Sequence, residues 1–138
     1  MNIKSLILIC IIILFSFSSF AKVGDRFNCT LLDAKSIEND TYDETRVIIR
    51  DKRPSKMILV TILRNDKAKF EHQYGSQEVP LKLRFEGNYH GYELIFEQTP
   101  TDYFFYKSQD KWFLRILRIS SNLDLEIVYT KYECMTQK

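Results

Sequence analysis

Leu81-Lys82-Leu83-Arg84-Phe85-Glu86 alternates apolar and charged side chains without a fault. Successive side chains of an extended strand point to opposite faces, so this period of two predicts a β-strand with one buried and one wet side. Leu123-Asp124-Leu125-Glu126-Ile127 repeats the pattern. Ala68, Phe70, His72 and Tyr74 alternate less cleanly with Lys67, Lys69, Glu71 and Gln73. Met57-Ile58-Leu59-Val60-Thr61-Ile62-Leu63 is apolar on both faces and rich in β-branched residues, the composition of a central strand. No segment carries an amphipathic helical period.

Outward from these runs, turn-forming residues recur at short, regular intervals: Arg53-Pro54-Ser55, Asn65-Asp66, Gly75-Ser76, Gly87-Asn88, Thr99-Pro100-Thr101-Asp102, Ser108-Gln109-Asp110 and Ser120-Ser121-Asn122. Asn65-Asp66 lies directly between two strand-like runs and reads as a tight hairpin loop. The result is about nine strands, near residues 26–32, 45–51, 56–64, 67–73, 79–86, 91–98, 101–107, 111–119 and 122–133. The one long polar interval, Asp33–Thr45, reads as a short helix or a mobile loop. The predicted fold is all-β: a small antiparallel meander barrel of lipocalin-like or lysozyme-inhibitor-like build, with a β-sandwich as the alternative.

Met1–Ala21 has the make-up of a secretion signal. Lys4 precedes an apolar block from Leu6 to Phe15, and Ser19-Phe20-Ala21 puts small side chains three and one residues before a cut. The block is too short to span a bilayer, which needs about 20 apolar residues. Ile9 before Cys10 does not suit a lipoprotein signal. The expected mature chain, 22–138, is a single β domain in the periplasm or medium, with no membrane span after cleavage. It keeps two cysteines, Cys29 and Cys134, in the first and last predicted strands. In an oxidising compartment such a pair is expected to form a disulfide. The bond would close nearly the whole mature chain into one loop, worth roughly 4–5 kcal/mol in the chain-entropy model. It would also bring the two terminal strands together, as barrel closure requires. Neither cysteine has the neighbouring histidine or Cys-x-x-Cys partner of a reactive thiol.

Composition removes several functions. The formal charge is +2, with basic residues such as Lys52, Arg53, Arg115 and Arg118 interleaved with acids and apolar residues, so no nucleic-acid footprint is present. The two histidines, His72 and His90, fall in different strand or turn regions, and a site built on them with Glu71 or Glu93 is a weaker reading than a strand histidine and a turn histidine. No metal or cofactor is expected. Asp43 and Glu44 sit in the most polar interval as solvated carboxylates, and no nucleophile elbow or phosphate-cradling glycine loop is present, so the protein reads as non-catalytic. An outer-membrane barrel would need strands of about 9–11 residues with an outward apolar band, whereas several of these are shorter and charged on the alternate face.

Aromatic residues are the remaining candidates. Tyr103-Phe104-Phe105-Tyr106 is followed by Trp112, and Tyr89 and Tyr92 belong to the neighbouring hairpin. Rings facing inward fill a core or line a ligand cavity, and rings facing outward form a partner patch. Two functions follow. The first choice is a protein-binding module, an inhibitor or immunity-type partner of a secreted enzyme. The alternative is a small carrier of an apolar ligand. The export signal, strand pattern and cysteine placement together resemble small periplasmic lysozyme inhibitors, which implies the first of these, although no binding-loop motif matches residue by residue.

Overall fold

The computed structural model describes residues 20–38, 41–43, 54–97, 100–120 and 126–137. The strands are β1 (Arg26–Glu38), β2 (Thr41–Asp43), β3 (Met57–Arg64), β4 (Lys67–His72), β5 (Gly75–Glu86), β6 (Tyr89–Leu94), β7 (Thr101–Ser108), β8 (Lys111–Ser120) and β9 (Glu126–Gln137). Each pairs antiparallel with its neighbour in a continuous meander, and β9 returns to pair with β1. β1 and β3–β9 thereby close an eight-stranded barrel, and β2 is a short strand on the far end of β1. Closure removes the edges that a sandwich would leave open.

Closure is sealed covalently. Cys29 and Cys134 are directly opposed in the β1–β9 ladder and joined by a disulfide, their Cα atoms 3.8 Å apart, nearer than in most disulfides. Both sulfur-bearing side chains point into the core.

One part of the reading from sequence needs correction. The interval from Asp33 is not a helix or loop at its start: β1 continues to Glu38 and β2 folds back on it. β9 supplies a ladder partner along the whole of β1, with one irregularity between Leu31 and Asp33, and that pairing overrides the weak strand propensity of the polar residues. The predicted strand at 45–51 and the run Leu123–Leu125 lie outside the described residues. β3 is central, as expected, lying between β1 and β4; it buries Ile58, Val60 and Ile62 and leaves Met57 exposed. A barrel has one interior, so the alternate residues Leu59, Thr61 and Leu63 are only half-buried.

The fold-deciding run behaves in an unexpected way. Leu81 is buried, but Leu83 and Phe85 on the same face are 55% and 63% exposed, because the β5–β6 hairpin extends past the barrel wall. Tight two-residue loops make the turns at this end of the barrel: Asn65-Asp66, Gly87-Asn88, and Gln109-Asp110, whose residues both take positive φ. Gly91 on β6 has a different purpose. A Cβ there would strike the Phe105 carbonyl and lie 2.6 Å from the Tyr106 Cα, so only glycine permits this approach of β6 to β7.

Candidate functional site

The two ends of the barrel are filled differently. At the end carrying the three tight loops, inward residues are large rings: Phe27 packs edge-on to Phe105 at 4.9 Å, and Phe105 stacks on Trp112 at 4.7 Å. Tyr92 also stacks on Trp112, at 6.4 Å, and points its hydroxyl at the Ala21 carbonyl. Gly24 and Asp25 extend β1 along β3 through hydrogen bonds of 2.8 and 2.9 Å with Ile62. The disulfide lies in this same layer.

At the opposite end the inward positions leave a cavity of about 420 Å³, within the ordinary range for small-molecule sites. The strand registers arrange its wall in layers. Arg118 of β8, flanked by Thr101 of β7 and Val128 of β9, forms the rim. Ile116, between Tyr103 and Thr130, forms the next layer, and Tyr132 the floor. Ile58 of β3 with Phe70 and His72 of β4 makes the facing wall. Phe70 and Tyr103 meet edge to face at 5.7 Å across the space.

The polar groups of this cup are few and placed. His72 accepts a hydrogen bond at Nδ1 from the Tyr74 backbone N–H (3.2 Å), which leaves Nε2 to carry the proton of the neutral ring. Burial raises the Tyr103 phenol, an effect that nearby positive Arg118 partly opposes. Burial also pushes Tyr132 up to about 12 against a hydrogen bond with Thr130. Both phenols are therefore neutral donors at physiological pH. Among the described residues that line the cup there is no carboxylate.

The aromatic candidates are distributed between three places. Tyr92, Phe105 and Trp112 belong to the closed-end core, and Tyr103 lines the cup. Phe104 and Tyr106 point outward from β7 and yet are buried. Phe104 lies beneath a ring of four charges: Arg84 pairs with Asp102 and Glu86, and Arg115 pairs with Glu86 (2.6 and 2.9 Å) and Asp102 (3.2 Å). Both guanidinium groups sit over the Phe104 face, at 4.9 and 5.2 Å. Hydrogen bonding from Arg115 holds the Glu86 carboxyl below the usual carboxylate range. Tyr89 packs on Tyr106 at 5.1 Å and is the one exposed member of the set.

His72 and His90 are at opposite ends, His90 packing on Phe85. Among the described residues no three His, Cys, Asp or Glu side chains gather as a metal site would need, and no helix is long and apolar enough to cross a membrane. Sequence reading missed Arg118, Phe70, Ile116, Thr130 and Tyr132 as site residues. The usable signal was parity: Trp112, Leu114, Ile116 and Arg118 share one face of β8, so a charge occupies an inward slot. Comparison with protein families, with curated proteins and with solved structures returned no match.

Proposed function

We propose that the protein is an exported, non-catalytic barrel that takes a small molecule with an apolar body into the cup at its open end. The cavity carries this reading: eight strands enclose just enough interior to be filled by side chains or to hold one small ligand, and here one end is filled and the other is not. Export is supported by the leader-like Met1–Ala21 and by a disulfide that an oxidising compartment would maintain. The outside of the wall carries ion pairs such as Lys67–Glu78 and Lys111–Glu133, which suits a water-facing surface. The test is binding of the neutral fluorescent probe 1-N-phenylnaphthylamine to wild type and to Ile116→Trp, which fills the cup. Saturable binding lost in the variant supports the reading, and equal binding by both proteins overturns it.

A second reading, recognition of another protein, has its own observation. Leu83 and Phe85 stand exposed on the hairpin that overhangs the closed end, remote from the cup. A pull-down from the exported fraction with wild type and Leu83→Ser/Phe85→Ser discriminates, since a partner bound there is lost in the double variant while probe binding is retained.

A further inference from the structure

Resting on the ligand-binding reading above, we infer that the ligand is a monoanion, a carboxylate whose head lies beside Arg118 at the rim and whose apolar body extends inward along Ile116, Phe70 and Ile58. The placement of Arg118 is the first reason. It follows Trp112, Leu114 and Ile116 on the inward face of β8, and its neighbours across the ladders are Thr101 and Val128, none of them a counter-ion. The other half-buried arginines of this sheet are matched: Arg84 and Arg115 share Glu86 and Asp102 on the outer face. Among the described residues Arg118 forms no ion pair, and no acid among them lines its cavity. A guanidinium partly withdrawn from water beside apolar walls is stabilised by an anion that supplies the missing acceptor oxygens.

The surrounding groups fit one carboxylate and little more. Thr101 adds a hydroxyl in the rim layer, and Tyr103 adds a phenol one layer below. His72 Nε2 is a further donor on the facing wall. A single fixed cation matches a single negative charge, whereas a diphosphate or a dicarboxylate would bring a second charge onto Ile116 and Phe70. The floor is set by Tyr132, which caps the depth available to the apolar body.

The test compares three ligands of one chain length on the oxidised protein by displacement of the neutral probe: decanoate, decan-1-ol and decyltrimethylammonium. Decanoate is expected to displace at a concentration at least about tenfold lower than decanol, with the ammonium weakest, as for one charge-assisted contact in a partly dry site. Arg118→Gln should remove that preference, with circular dichroism reporting that the variant is folded, and Arg118→Lys should keep part of it. If decanol and decanoate bind alike in wild type, or Arg118→Gln retains the preference, the anion assignment fails while the cup remains a ligand site. If none of the three displaces probe held in the cup, the assignment fails with the carrier reading.

Discussion

The two ends of this barrel are made by the same strands with the same inward alternation, yet one is solid and the other hollow. At the solid end, β1 meets β9 through a disulfide, tight loops close three hairpins, and Phe27, Phe105, Trp112 and Tyr92 fill the cross-section. At the hollow end the connections between β6 and β7 and between β8 and β9 are longer, and the inward slots hold threonine, isoleucine and an arginine. The barrel concentrates its packing at one end of its axis and, under the proposed function, leaves binding to the other. Covalent and aromatic packing at one end allows the other to leave its interior unfilled, and a small domain with one core can afford a cavity only where closure does not depend on it.

The comparison can be broken by substitution. Trp112→Ala, which removes the ring on which Phe105 and Tyr92 both stack, should lower unfolding stability by about 3–5 kcal/mol in denaturant titration. The paired change Cys29→Ala/Cys134→Ala should follow at roughly 2–5 kcal/mol, measured against the oxidised wild type. Ile116→Ala at the open end should lose less than about 2 kcal/mol, because a side chain beside a void already lacks neighbours on one side. Equal losses at Trp112 and Ile116 would mean that both ends carry the fold.

Two smaller effects sharpen it through pH. Tyr132 has its pKa raised by burial to about 12 from an ordinary 10.0, so its contribution is intact below pH 10 and lost as pH rises toward 12. Ultraviolet titration at the phenolate band should show one tyrosine that ionises last, and Tyr132→Phe should remove it. Glu86 has the opposite sign: its lowered pKa makes the outer charge ring stabilising above the unfolded value of about 4.3, with that contribution lost as pH falls through the folded value. The carboxyl is 39% exposed, so the change should be slight, and Glu86→Gln should flatten stability against pH over that range.

Strand order and closure were readable because period-two alternation and the cysteine positions are local or terminal signals. Lengths were less so: β1 outruns its own propensity because β9 lies beside it, a partnership about a hundred residues away in the chain. Leu83 and Phe85 follow the same alternation as Leu81, and nothing within that run marks where the barrel wall stops. Phe104 and Tyr106 are on the outward face and yet buried, since their cover comes from Arg84, Arg115 and Tyr89 on other strands. The cup was visible only as a charge in an inward slot at Arg118, whose meaning depends on the register of β7, β8 and β9.

The most direct measurement is a residue-resolved NMR titration of the oxidised protein with decanoate. Amide shifts are expected to cluster at Phe70, Tyr103, Ile116, Arg118 and Thr130, with Cys29, Phe105 and Trp112 unmoved at the closed end. Shifts centred on Trp112 and Phe27, or on Leu83 and Phe85 with the cup silent, would contradict the division of the barrel into a stapled end and a receiving end.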